Sequence, residues 1–466
     1  MFFELVYDKS LAQASYVIGC QAAGIAAVID PKRDVDTYIN IAIANNLKIT
    51  HILETHIHAD FLCGSRELAA LTGAELYLSD EGDDNWKYEF PHNKIKHGDV
   101  VKMGNLTFEV LHTPGHTLES ISFLLTDKPA TNEPVMLFTG DFVFVGDVGR
   151  PDLLEQAAGL KGTQDIGAAQ MFDSLQEFNK LGDYIQVWPG HGAGSACGKA
   201  LGAVPSTTVG YEKIRNWALQ LLDDKVAFAK ELLSGQPEPP KYFAKMKKLN
   251  KVDRKLVTEV PSIENLSKEA FKKIKNKGLK IIDARPWEEY AKGFLNGTLS
   301  ITNNNSFSTW MGWYLNYEEN FIIIAEENQV EDITRKLMRI GLDNLSGYIT
   351  PEQLDTFEKG NLETFTPIDK ETVISKLDED AQVVDVRGAS EFNEGHIKGA
   401  INLFVGKLPQ NLDKVSKDKP VIIYCQAGGR AAIAYSILKA NGFDNILNYA
   451  GGWNDWFAEE KELVNG

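Results

Sequence analysis

The chain has 466 residues, too many for a single hydrophobic core, so two to four domains are expected. An apolar content of 43% and a charged content of 24% are ordinary globular values, and a formal net charge of −17 argues against a nucleic-acid partner. No apolar run approaches membrane-spanning length. The start, Met1-Phe2-Phe3-Glu4-Leu5, lacks the basic and apolar regions of a signal peptide, so a cytoplasmic protein with no membrane partner is expected. Cys20, Cys63, Cys197 and Cys425 are scattered, which argues against a disulfide framework.

Alternation predicts strands over Phe2–Tyr7, Ala14–Gly19 and Gly24–Asp30, the last ended by Asp30-Pro31. Val35, Ile39 and Ile43 have helical spacing within Asp34–Asn45. A strand over Ile49–Leu53 leads into Thr55-His56-Ile57-His58-Ala59-Asp60-Phe61, and Gly64–Thr72 reads as a helix. Further strands are expected at Glu75–Leu78, Leu106–His112, Ser120–Leu125 and Val135–Thr139. Gly159–Gly167 reads as an exposed loop before a helix starting near Ala168. The pattern is α/β, with no glycine fingerprint for a dinucleotide.

Four polar landmarks follow strands. In an extended segment residues two apart share a side, so His56, His58 and Asp60 can converge on one point. His112-Thr113-Pro114-Gly115-His116-Thr117, Gly140-Asp141 and Pro189-Gly190-His191-Gly192 complete the set. A strand, an abrupt Gly/Pro turn and then His or Asp is how a rigid sheet pre-aims metal ligands on loops. His51, His92 and His97 have no such context and read as surface or packing residues.

Taken together, the four landmarks resemble the metallo-β-lactamase superfamily, whose pattern is HxHxDH, then His, Asp and His. The resemblance covers residues 1–240 and implies an αββα sandwich. It departs at Phe61, where two-metal members carry a histidine. One metal is then expected, on His56, His116 and Asp141. Two imidazoles and one carboxylate form the facial set of non-haem Fe(II) oxygenases. That is similar to the persulfide dioxygenase branch, in which His58 and Asp60 support the ligands rather than join them, although by ligand count His58 is still a candidate fourth ligand. Gly146-Asp147-Val148-Gly149-Arg150-Pro151-Asp152 also resembles that branch and offers Arg150 either to a substrate carboxylate or to an Arg–Asp clamp. His191 is expected as a hydrogen-bond donor near substrate. Cys197 shares a glycine-rich loop with Lys199, which would lower its pKa and make it a second persulfide carrier; a buried inert thiol is the alternative.

Residues 241–262, lysine-rich from Lys241 to Lys255, read as a charged linker. An internal repeat follows, at 263–360 and 361–466. Ile281-Ile282-Asp283-Ala284-Arg285 matches Val383-Val384-Asp385-Val386-Arg387, Trp287-Glu288-Glu289-Tyr290 matches Ala389-Ser390-Glu391-Phe392, and Phe321–Ala325 matches Val421–Cys425. Both copies resemble the rhodanese fold. The second carries Cys425-Gln426-Ala427-Gly428-Gly429-Arg430 between a strand and a helix. Backbone N–H groups there can cradle an anion and stabilise a thiolate, and Arg430 suits sulfur oxyanions. This is the CxxGxR sulfurtransferase loop of the rhodanese family. The first copy has Ala325-Glu326-Glu327-Asn328-Gln329-Val330 instead and reads as a scaffold or oligomerisation domain; Trp310, Trp313, Tyr314 and Tyr317 are its core or an interface.

The whole chain resembles the fused persulfide dioxygenase–sulfurtransferases. The resemblance implies one Fe(II) per chain and oxidation of a low-molecular-weight thiol persulfide by O₂ to sulfite. Cys425 and Arg430 would then pass sulfane sulfur to sulfite as thiosulfate, in sulfide detoxification by a homo-oligomer, a dimer or tetramer. Glutathione, coenzyme A, bacillithiol, cysteine and inorganic polysulfide are open as the thiol. The alternatives are a zinc thioester hydrolase of the glyoxalase II type, a rhodanese feeding persulfide to the iron, and a binding scaffold, the last opposed by intact His56, His116, Asp141 and Cys425.

Overall fold

The computed structural model describes residues 1–153, 155 and 162–464. They form two compact units, one of Met1–Val260 with Arg335–Gly341, the other of Pro261–Thr334 with Leu342–Gly466.

The first unit is an αββα sandwich. Strands β1 (Phe2–Asp8), β2 (Gln13–Cys20), β3 (Ile25–Ile29), β4 (Lys48–Leu53), β5 (Glu75–Ser79) and β6 (Asn93–Ile95) lie in sequence order in one six-stranded sheet. The other sheet has the order β12-β11-β10-β9-β8-β7, with β7 (Val100–Met103), β8 (Leu106–His112), β9 (Ile121–Asp127), β10 (Met136–Gly140), β11 (Gln186–Pro189) and β12 (Thr207–Thr208). Tyr16, Ile29 and Leu53 pack against Phe108, Phe123 and Phe138 between the sheets. Each fully buried phenylalanine contributes about 2–3 kcal/mol. Outside, α1 (Asp36–Ala44) and α2 (Ser65–Thr72) cover the first sheet through Tyr38 and Leu68. The second is covered by α3 (Thr163–Phe178), α4 (Val209–Arg215) and α5 (Lys225–Leu233), through Met171, Leu175, Val209 and Phe228.

The strands expected from alternation are all present; β6, β7 and β12 are too short to show a pattern. Helix α3 begins at Thr163, so Thr163–Gly167 is helix rather than loop, and Gly159–Lys161 lie outside the described residues. The lysine-rich segment differs more. It contains α6 (Phe243–Lys251), in which Phe243, Met246 and Asn250 are buried at helical spacing while the lysines face outward. The lysines mask that apolar stripe in the sequence. Through Val260 this segment belongs to the first unit instead of linking two domains.

The second unit holds two four-stranded parallel sheets of the same order, β14-β13-β15-β16 and β18-β17-β19-β20. The first has β13 (Lys280–Asp283), β14 (Leu299–Ser300), β15 (Phe321–Ile324) and β16 (Leu345–Ile349), the second β17 (Gln382–Asp385), β18 (Ile401–Asn402), β19 (Val421–Tyr424) and β20 (Ile446–Tyr449). The repeat extends to a buried clamp. Arg285 binds Asp283 and donates to the Gly293 carbonyl at 2.7 Å; Arg387 binds Asp385 and donates to the Gly395 carbonyl at 2.6 Å. The copies share one core, in which Tyr290 and Phe294 of the first join Tyr435 and Val405 of the second. The aromatic cluster is in part that interface. Trp313 meets Phe404 with ring centroids 5.4 Å apart, and the Tyr314 hydroxyl donates to the Val405 carbonyl at 2.6 Å.

Candidate functional site

The four histidine and aspartate landmarks converge at one end of the sandwich. His56 follows β4, His116 follows β8, Asp141 follows β10 and His191 follows β11. All four are at most 5% exposed. Gly140 has φ +51°, and a Cβ there would clash with Thr55 Oγ1 and lie 2.6 Å from Thr55 Cβ; only glycine lets the Asp141 loop come this close to the His56 loop.

His56, His116 and Asp141 each offer a ligand atom, all within 4.8 Å of one another. Asp141 Oδ2 lies 3.9 Å from His56 Nε2 and 3.5 Å from His116 Nε2. The opposite ring nitrogens set the tautomers. His116 Nδ1–H donates to the Arg150 carbonyl at 2.9 Å, and His56 Nδ1–H to Thr55 Oγ1 at 3.0 Å, whose own proton goes to Asp30 Oδ2 at 2.7 Å. The Nε2 lone pairs are thereby turned into the site. His56 Nε2 and both Asp141 oxygens are buried without a hydrogen-bond partner among the described residues. Burial, together with His58, His116 and His191, keeps the His56 pKa well below its ordinary value, so its ring is neutral and free to ligate. This donor set fits a cation; two imidazoles and a carboxylate suit iron and zinc alike.

His58 packs against His56, with ring centroids 4.1 Å apart, but is not one of the three converging donors. Its Nε2 lies 3.2 Å from Asp30 Oδ1, and its ring meets Phe61 with centroids 4.4 Å apart. Burial disfavours the charged ring, but the Asp30, Asp60 and Glu54 carboxylates outweigh it and hold its pKa at about 9. Asp60 lies instead with His191 and Cys197, their ligand atoms within 4.8 Å of one another. His191 Nε2 is 3.2 Å from Asp60 Oδ2 and 3.4 Å from Asp141 Oδ1, and both Asp60 oxygens lack a hydrogen-bond partner among the described residues. A second group of three metal-capable donors therefore abuts the first, with Cys197 as its third member.

For Arg150 and Cys197 the structure favours one of the two readings that the sequence left open. Arg150 is 0% exposed and donates to both Asp152 oxygens, at 2.8 and 2.6 Å, and to the Ala196 and Pro237 carbonyls, at 3.1 and 2.7 Å. These bonds make it the Arg–Asp clamp. Cys197 is 1% exposed, and its loop lysine does not reach it; Lys199 Nζ sits on Glu231 at 2.7 Å. Burial and the Asp141 and Asp60 carboxylates push the Cys197 thiol up, the reverse of activation.

Several supporting residues have no local signal in the sequence. Asn250 on α6 donates to the His58 and Phe61 carbonyls, both at 2.8 Å, and accepts from the Cys63 N–H at 2.8 Å. Asp30, at φ +49°, accepts the Thr55 N–H at 2.7 Å; its one clue in the sequence is the Asp30-Pro31 strand end. Beyond His116 opens a cavity of about 540 Å³ walled by Trp86, Leu118, Pro151, Ile166 and Lys247. The Lys247 ammonium lies 3.4 Å above the Trp86 ring, and burial holds its pKa down at about 8.

In the second unit, Cys425 directly follows β19 and is 2% exposed. Gly428, at φ +91°, turns the chain into the following helix, Gly429–Ala440. Arg430 lies in that helix's first turn and is bound by Glu391. At the matching place in the first copy Ala325 is buried and Glu326 and Glu327 are exposed, so it has neither thiol nor guanidinium.

A family profile described as metallo-beta-lactamase superfamily matches residues 10–191, and one described as rhodanese-like domain matches residues 369–459. A crystal structure of a metallo-beta-lactamase from Staphylococcus aureus subsp. aureus COL is 46% identical, covers 75% of this chain and 99% of its own, and superposes with a TM-score of 0.71. The crystal structure of ETHE1 from Myxococcus xanthus is 28% identical over 51% of this chain and 96% of its own, with a TM-score of 0.39. The hydroxyacylglutathione hydrolase of Rhodospirillum rubrum is 34% identical over 178 residues, 38% of this chain and 60% of that protein. The chain thus spans about three fifths of that curated relative's length. No helix among the described residues is long and apolar enough to cross a membrane.

Proposed function

The chain belongs to the metallo-beta-lactamase superfamily and carries a C-terminal rhodanese-like domain, and on that premise we propose that it is a persulfide dioxygenase coupled to a sulfurtransferase. The observation that carries the reading is the conjunction of a buried two-histidine, one-aspartate set, Phe61 where two-metal members place a histidine, and Cys425 at the head of a CxxGxR loop. A ferrous ion held by His56, His116 and Asp141 would supply the activation of O₂ and of a thiol persulfide to yield sulfite.

The residues do the rest. His116 and Asp141 are held in place by the Arg150 carbonyl and by the tight turn at Gly140. The cavity beside His116, with Trp86 and Lys247, has the size and mixed polarity to take the organic part of a thiol. At the second site the Cys425 thiolate attacks the outer sulfur of a persulfide. The Cys425–sulfur bond forms, the original sulfur–sulfur bond breaks, and the carrier leaves as its thiolate. Sulfite then attacks that outer sulfur, forming thiosulfate and returning the electron pair to Cys425. The loop N–H groups at the helix start would stabilise the developing charge.

A second reading, a two-metal thioester hydrolase, is favoured by the convergence of Asp60, His191 and Cys197 and by the hydroxyacylglutathione hydrolase relatives. Metal analysis of the purified chain with an oxygen electrode separates the two. One iron per chain with persulfide-dependent O₂ uptake is expected. Two zinc ions with thioester cleavage and no O₂ uptake would sink the dioxygenase reading.

A further inference from the structure

The cavity in front of Cys425, of about 380 Å³, is not made by its own domain alone. One wall is the loop, with Cys425, Ala427 and Arg430. The facing wall comes from the first copy, through Trp287, Glu288 and Trp310, with Asn304 and Ser306 adding polar groups. The copies are held in this arrangement by their common core and by the Ser300 N–H, which donates to Ser436 Oγ at 3.2 Å.

That wall is specialised. Trp287 and Glu288 correspond in the repeat to Ala389 and Ser390, both small and exposed. Aromatic bulk and charge stand only on the side that faces a thiol. The approach is close: a Cβ on Gly428, which has φ +91°, would lie 3.1 Å from the Ala450 carbonyl oxygen and 3.3 Å from the Trp287 ring. The cavity is also far roomier than a small oxyanion needs, and within the range of organic ligand pockets. Its charge points the same way. Arg430 is already neutralised by Glu391, and Glu288 adds a further carboxylate at the wall.

We propose that the cysteine-less copy is the donor-binding half of the sulfur-transfer site. Trp287 and Trp310 hold the organic body of a low-molecular-weight persulfide, and Glu288 disfavours multiply charged inorganic donors. This rests on the reading of Cys425 as the sulfane-sulfur carrier. It gives the degenerate domain a role in donor selection beyond scaffolding.

The test uses the full chain, with a small alkyl persulfide or thiosulfate as donor and cyanide as acceptor, following thiocyanate; no step requires the metal centre. Trp310→Ala and Trp287→Phe are expected to shift the ratio of the two donors' KM values about ten-fold towards thiosulfate. Glu288→Gln, at an exposed position, is expected to lower the KM for thiosulfate about three-fold at low salt. An unchanged KM ratio in all three variants would overturn the proposal while leaving Cys425 as carrier. No thiocyanate from either donor with the unsubstituted chain would instead remove the reading on which it rests.

Discussion

The Arg430 guanidinium is gripped by both carboxylate oxygens of Glu391, at 2.6 and 2.7 Å, a fork-to-fork pair beside the Cys425 loop. Glu391 also accepts the Gly388 N–H at 3.0 Å, which ties the loop to the start of the Ala389–Glu394 helix. Arg430 is thus held in one orientation by a residue remote in sequence. Glu391→Gln keeps the shape and the Gly388 bond but loses the charge pair. Sulfur transfer at Cys425 should fall about ten-fold, with O₂ uptake at the metal centre unchanged. Thiocyanate formation and oxygen consumption, measured on the same preparation, check this.

On the proposed reading, Cys425→Ser removes the sulfur carrier. Persulfide-dependent O₂ uptake should persist, with the product moving from thiosulfate to sulfite. Ion chromatography of the spent reaction decides; unchanged thiosulfate would take the carrier role away from Cys425.

Arg150→Lys tests the clamp. An ammonium cannot reproduce two parallel bonds to Asp152 together with bonds to the Ala196 and Pro237 carbonyls. The expected loss is about 3 kcal/mol of stability. Because His116 donates to the Arg150 carbonyl, metal affinity should also fall by about ten-fold or more. Urea unfolding and titration against a chelator measure the two effects separately.

Glu119 is fully buried, with Oε1 accepting the Ile57 N–H at 2.7 Å, and burial pushes its pKa up from 4.5 to about 7. The folded chain therefore binds a proton there that the unfolded chain releases. The contribution is fully present below pH 4.5 and is lost as the pH rises through about 7. Lys247, held down at about 8, alters stability only above that pH, and His58, raised from 6.5 to about 9, titrates with or without Glu119, so the Glu119 contribution is the difference between this chain and its Glu119→Gln variant. Glu119→Gln should flatten the decline between about pH 5 and pH 7.5, by at most about 3 kcal/mol. Denaturation midpoints of both proteins across that range test it, and parallel curves would refute it.

The sequence made the sandwich legible because its strands are long enough to alternate and its turns carry Gly and Pro. It made the ligands legible because each directly follows a strand. Where it failed, the signal was masked or absent. The lysines of Phe243–Lys251 hide the face that presents Asn250, and the pull of Lys199 on Cys197 is cancelled by Glu231, 32 residues away.

By itself the chain determined the order of the landmarks His56, His116, Asp141 and His191, the phenylalanine at position 61, the duplication, and the CxxGxR pattern in the second copy alone, all local patterns of residue type and spacing. Tertiary structure alone decided which groups meet. It turned His58 towards Asp30, brought Cys197 to Asp60 and His191, clamped Arg150 onto Asp152 and the Ala196 and Pro237 carbonyls, and set Trp287 of one copy against the cysteine loop of the other. Those outcomes depend on contacts between residues far apart in the chain, where packing and charge act at a few ångströms and leave no periodic trace in sequence.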